Sequence, residues 1–148
     1  MYLYVEEREP DAGRLTRDID IVIRREDLAK IAQAVQPFGL EYRHTARVDM
    51  LVQTAEPSAR RAVRLSFSGE QVHPDYPEAV PEIEAPRIIR GIRVAPLIDL
   101  IRTKLTSFRL KDQTHLKDLD EAGLITPGII EQLSPVLRER LAEVRARE

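Results

Sequence analysis

The chain of 148 residues contains no cysteine and no tryptophan. Without thiols it has no disulfide framework, no zinc–thiolate centre and no thiol nucleophile. Aromatic residues make up only 5%, too few for a platform on which single-stranded bases stack. Neither sign of charge dominates: 23 Lys and Arg stand against 25 Asp and Glu, a formal net charge of −2. That balance argues against a broad nucleic-acid footprint and leaves only a local basic patch. No apolar run is long enough to span a bilayer, and the opening does not look like a signal peptide. The expectation is a cytoplasmic protein with no membrane partner. A Walker loop, a dinucleotide glycine fingerprint and a Gly-x-Ser-x-Gly elbow are all missing, as are internal repeats and low-complexity tracts.

What is present is a globular profile, 43% hydrophobic and 32% charged. It fits one domain over residues 1–148 with a real but modest core. Its most informative stretch is Leu15-Thr16-Arg17-Asp18-Ile19-Asp20-Ile21-Val22-Ile23. In a strand, alternate side chains share a face, so Asp18 and Asp20 point one way and Ile19 and Ile21 the other. Adjacent carboxylates repel unless a cation sits between them. Such a pair suits Mg²⁺, which binds through one or two carboxylates plus substrate phosphates. The competing reading is an ordinary solvated acidic pair at a strand start.

The rest of the chain reads in order. Residues 1–7 are a short strand or the last turns of a helix, followed by a polar loop over residues 8–14. Residues 25–36 carry Leu28, Ile31, Ala32 and Val35 at helical spacing, with Glu26 and Asp27 in the first turn and Pro37 and Gly39 as the stop. Strands are expected at residues 40–43, 48–53 and 62–67. Val63, Leu65 and Phe67 share one face of the last, and Arg64, Ser66 and Ser68 the other. A proline-studded loop covers residues 72–84, and Arg90-Gly91 turns a hairpin between Ile88-Ile89 and Ile92-Arg93-Val94. His44 and His73 fall in loops. From Pro96 the pattern is helical: Leu97, Leu100, Ile101, Leu105 and Phe108 form a stripe, residues 109–115 a polar turn, and Thr114 a cap for a helix through Ala122 that Gly123 ends. Thr126-Pro127 and Ser134-Pro135 each open a further helix. The organisation is a sheet-bearing part, residues 1–95, and a helical part, residues 96–148.

Polar groups fall into two clusters. One is Asp18 and Asp20; the other is Lys104, Arg109, Lys111, Asp112, His115, Lys117 and Asp118. A basic cluster facing a two-carboxylate metal site is what a nucleoside triphosphate needs. Lys104 lies on an apolar stripe, so it either snorkels to solvent or points into a cleft. His115 has no partner at a metal-ligand spacing, which favours packing or capping.

Residues 16–23 resemble the Asp-x-Asp strand of the DNA polymerase beta-like nucleotidyltransferases. More narrowly, the chain is similar to bacterial nucleotidyltransferase-like proteins related to the AbiEii toxins of type IV toxin–antitoxin systems. In those a Thr-Arg-Asp-x-Asp strand leads into a helix like residues 25–36. A later basic segment then reads like Leu100-Ile101-Arg102-Thr103-Lys104-Leu105 through Arg109-Leu110-Lys111-Asp112, then His115-Leu116-Lys117-Asp118-Leu119. The resemblance covers residues 1–133. It implies an α/β (α+β) fold with a nucleotidyltransferase-like mixed sheet, flanking helices and a helical C-terminal part. It also implies Mg²⁺-dependent transfer of a nucleoside monophosphate from a nucleoside triphosphate such as ATP to an acceptor hydroxyl on a cognate protein or RNA, in a toxin-like role. Asp18 and Asp20 match the metal-binding pair. Lys104 matches a residue near the nucleotide phosphates, with Arg109 and Lys111 as further nucleotide-binding positions.

Two departures from the family pattern bear on activity. No glycine-rich turn precedes Asp18; residues 1–7 look like the back end of the helix that would carry it, as if the front had been trimmed. The strand expected to carry a third carboxylate has Arg64 there, a donor unable to ligate a cation. Arg64 is expected to pair with Asp18 or Asp20, with Asp49 or Glu70 as remote substitutes for the third acid. The alternative to an active enzyme is therefore a catalytically degenerate nucleotide-binding or protein-interaction module. The apolar Tyr2, Leu3, Tyr4 and Val5 suggest a homodimer.

Overall fold

The computed structural model describes residues 2–8 and 19–147. The order of elements is α1 (Tyr2–Arg8), β1 (Ile19–Ile23), α2 (Leu28–Val35), β2 (Leu40–Thr45), β3 (Val48–Gln53), β4 (Val63–Phe67), β5 (Arg87–Ile89), β6 (Ile92–Val94), α3 (Leu97–Ser107), α4 (Leu110–Glu121), α5 (Pro127–Glu131) and α6 (Pro135–Ala146).

The β-branched run after Asp18 forms β1, which pairs in parallel with β4; β4, β3 and β2 continue antiparallel, giving the order β1-β4-β3-β2. A parallel pair needs a long crossover, and α2 with the β2–β3 hairpin supplies it. The apolar stripe of α2 decides which sheet face is covered. Leu28, Ile31 and Val35 lie on Ile21, Ile23, Leu51, Leu65 and Phe67. Short 3₁₀ turns, Arg25–Asp27 and Gln36–Phe38, extend the helix to about the limits its periodicity suggests. Pro37 lacks the N–H that a continuing helix needs, and Gly39 closes the turn at φ 72°.

The opposite sheet face carries Asp20, Arg64, Met50, Val52 and Ser66. The register aligns Asp20 with Arg64, and Arg64 with Met50.

The helical part has its own core. Ile101 and Leu105 of α3, Leu116 and Leu119 of α4, and Leu133, Leu137 and Leu141 towards the end of the chain are almost wholly buried together. Helix α1 belongs to this core. Val5 joins the cluster, and Tyr4, 1% exposed, donates its hydroxyl to the Ala95 carbonyl at 2.6 Å. Glu6 pairs with Arg90 and Glu7 with Arg87. Residues 2–8 are thus helical, and Tyr4 and Val5 are covered by their own chain. Of the four apolar residues from which a homodimer is expected, these two offer no surface to a second copy.

Helix α4 starts earlier than expected. Its N-cap is Arg109, and the Asp112 carboxylate accepts from the Arg109 backbone N–H at 3.3 Å. Thr114 is not a cap: it sits inside the helix, where its hydroxyl donates to the Leu110 carbonyl. At the other end Gly123, at φ 67°, allows Leu124 N–H to reach the Leu119 carbonyl and its own N–H to reach that of Asp120. This is the Schellman closure that glycine favours. Among the described residues no helix is long and apolar enough to cross a membrane.

Candidate functional site

Lys104 is the buried cation around which the polar cluster forms. Its helix, α3, turns Ile101 and Leu105 into the helical core, which leaves Lys104 on the flank facing α4. The side chain is only 14% exposed. Its ammonium donates to His115 Nδ1 at 2.9 Å and lies 3.6 Å from an Asp112 oxygen. Lys104 does not snorkel to solvent; its ammonium is buried between α3 and α4 on Asp112 and His115.

Asp112 ties the corner between α3 and α4 together. Residue exposure is 3%, yet the carboxylate is fully partnered. It accepts from the Ser107 hydroxyl at 2.7 Å, from Arg109 Nε at 2.7 Å, and from the Arg109 backbone. Phe108, in left-handed conformation at φ 50°, makes the bend that brings Ser107 and Asp112 together. Burial pushes the Asp112 pKa up. Hydrogen bonds from Arg109 and Ser107 and the charges of Arg109 and Lys104 more than offset this, leaving it below its ordinary value.

Burial lowers the Lys104 pKa; Asp112 opposes the shift, and Asp20 adds a smaller opposing pull. For Arg109 the hydrogen bond to Asp112 raises the pKa most, with Tyr76 and Asp20 adding smaller charge contributions. Burial, then the positive charges of Lys104 and Lys111, pushes His115 down to about 4. The imidazole is therefore neutral near pH 7, with Nδ1 as acceptor and the proton on Nε2.

Asp20 comes from the sheet-bearing part, Lys104 and Arg109 from the helices. Asp20 itself is exposed. Directly across the β1–β4 pair is Arg64, also exposed, on the same face. Among the described residues no ion pair joins them, contrary to the expectation for Asp20. Asp18 lies outside the described residues, so its place in the cluster is not described. Lys111 is exposed on α4 and acts on His115.

Asp49 and Glu70 do not complete the acidic site. Asp49 is in register with Leu65 and therefore on the α2 face, opposite to Asp20. It accepts from the Tyr42 hydroxyl at 2.5 Å and contacts His44 Nδ1 at 3.0 Å. His44 lies on β2 rather than in a loop. Glu70 forms two 2.6 Å bonds with Arg25, whose guanidinium lies 3.5 Å from the centre of the Phe67 ring. Among the described residues no group of three His, Asp or Glu side chains is arranged to hold a metal ion.

Ser107 had no signal in the sequence. Neither did His115 as the partner of Lys104, because the two stand on different helices and only the bend at Phe108 brings them together. Lys104 and Arg109 of the helical part, and Arg64 beside Asp20 on the sheet, are donors of the kind that suit phosphate oxygens.

Neither the protein-family models nor the curated proteins yield a match. Among solved structures, the chain is similar to the solution structure of the antibiotic-resistance factor ANT(2'')-Ia, with 12% identity and a TM-score of 0.42. The overlap covers 95% of this chain and 68% of that one. The chain itself folds as a mixed four-stranded sheet with flanking helices and a helical C-terminal part.

Proposed function

We propose that the protein is a nucleotidyltransferase of the AbiEii-like kind, binding a nucleoside triphosphate between the Asp20 face of the sheet and the α3–α4 corner. The observation that supports this reading is the pair of polar groups itself: Asp20 in register with Arg64 on one sheet face, and Lys104 and Arg109 held on the buried Asp112 carboxylate. Carboxylates on one side and fixed cations on the other are what a metal–triphosphate complex needs.

The donor set fits one Mg²⁺ better than two. Asp20, with Asp18 two residues before it, supplies carboxylates for one ion completed by phosphate oxygens. Beside Asp20 the next side chain on the face is the Arg64 guanidinium, which cannot ligate a second. When bound, Mg²⁺ would neutralise phosphate charge and polarise the phosphorus that is attacked. Lys104, held by Asp112 and His115, neutralises non-bridging phosphate oxygens. Arg109 adds a planar donor from the open side. In the transfer, an acceptor hydroxyl oxygen bonds to the α-phosphorus, its proton leaves to solvent, and the bond to the β-phosphate oxygen breaks to release pyrophosphate.

Calorimetric titration with ATP and the other nucleoside triphosphates, with and without Mg²⁺, tests the site. The expected result is Mg²⁺-dependent binding that an Asp18→Ala/Asp20→Ala double variant loses. No binding by the wild type under any condition overturns the reading.

The second reading is a degenerate domain that binds nucleotide without transferring it. Arg64 beside Asp20 favours it. Mg²⁺-dependent binding with no pyrophosphate release against candidate protein and RNA acceptors is its signature.

A further inference from the structure

We infer that Arg64 is a phosphate-binding residue that takes the charge-neutralising place of a second metal ion, so that the site holds a triphosphate with a metal-independent component. The inference rests on the proposed nucleotide site and extends it to how the polyphosphate is bound.

Three observations carry it. Arg64 is fixed on a central strand, hydrogen-bonded on both sides by β1 and β3, so its Cα position is set by the sheet and not by a loop. Its neighbour in register is Asp20, yet the exposed guanidinium forms no ion pair among the described residues. Among the described residues, the nearby Arg25, Arg61 and Arg109 are each held by a carboxylate: Arg25 by Glu70, Arg61 by Glu56, and Arg109 by Asp112. Arg64 is therefore a rigidly based, solvated cation on the face that carries Asp20. Lys104 is different. Its charge is shared with Asp112 inside the α3–α4 corner, so it neutralises incoming anion less completely than an unshared cation does.

The chemistry of guanidinium gives the position its meaning. Its planar donors match phosphate oxygens in pairs and stay charged at any working pH. A guanidinium beside Asp20 repels a second divalent ion and attracts the polyphosphate tail that such an ion would bridge. Charge-assisted hydrogen bonds of this kind change affinity by about tenfold or more when removed. The Asp20 carboxylate then serves to bind the single ion.

The test uses the intact chain with two probes, inorganic tripolyphosphate and ATP, titrated in EDTA and in Mg²⁺, with circular dichroism checking that each variant is folded. The wild type is expected to bind tripolyphosphate in EDTA. Arg64→Ala is expected to lower that affinity about tenfold or more while retaining most of the Mg²⁺-dependent binding of ATP. Arg64→Lys should recover part of the loss, because a point charge keeps the attraction but not the paired geometry. Arg64→Asp should abolish binding in EDTA and steepen the dependence on Mg²⁺ concentration. Unchanged tripolyphosphate affinity in Arg64→Ala, with ATP binding intact, overturns the role of Arg64 and leaves the nucleotide site standing. A wild type that binds ATP only with Mg²⁺, and no tripolyphosphate in EDTA, does the same. A wild type that binds neither probe with or without Mg²⁺ overturns both.

Discussion

Lys104 Nζ lies 2.9 Å from His115 Nδ1, a hydrogen bond between two helices that requires the imidazole to be neutral. Burial and the nearby positive charges hold the His115 pKa near 4, below the ordinary value of about 6.5. The unfolded chain therefore takes up a proton that the native state refuses. Stability from this group is complete above pH ~6.5 and declines as pH falls towards 4. Because His115 is only partly buried, the total is roughly 1–2 kcal/mol. Urea unfolding between pH 4 and 7 should show a shallower loss in His115→Gln than in the wild type over that window.

Asp112 and Thr114 separate two accounts of how α4 begins. Asp112 is buried and bonded to Ser107, Arg109 and Lys104. Asp112→Ala leaves a buried cation without its counter-charge, at a cost of about 3–5 kcal/mol. Thr114→Ala, which removes only a bond within the helix, should change stability by less than about 0.5 kcal/mol. Equal effects in thermal or urea melts would contradict the observed helix start.

Helix α1 is a part of the core and its contacts are measurable. Tyr4→Phe removes the bond to the Ala95 carbonyl and should cost about 1 kcal/mol. Val5→Ala empties part of a buried site and should cost about 1–2 kcal/mol. Neither should alter sedimentation behaviour, since both side chains are covered by their own chain. A change in oligomeric state in Val5→Ala without loss of stability would point to an exposed α1.

The β2–β3 turn uses residues poorly suited to it. Ala46 and Arg47 both have positive φ, 48° and 62°, a conformation that two-residue hairpins normally fill with Asn-Gly. Replacing the pair, Ala46→Asn with Arg47→Gly, should stabilise the chain by about 0.5–1 kcal/mol, because it removes strain at a turn whose closing pair is Thr45 and Val48. Urea midpoints compare the two. A lower midpoint would show that contacts of the Arg47 side chain outweigh the strain.

Local chemistry alone set much of this protein. Alternation determined that Val63, Leu65 and Phe67 would share one face, and that Arg64 and Ser66 would share the other. Apolar spacing and Pro37 bounded the helical stretch around α2, and Gly123 ended α4, because these signals act through the backbone of the residue itself or its near neighbours. Tertiary structure decided what depended on distant partners. Arg64 became the neighbour of Asp20 only through the parallel β1–β4 register. Asp49, one residue out of phase, went to the α2 face. Lys104 turned inward because the bend at Phe108 brought Asp112 and His115 within reach of it. In each case the side chain's role is fixed by what packs against it, and sequence spacing carries no measure of that.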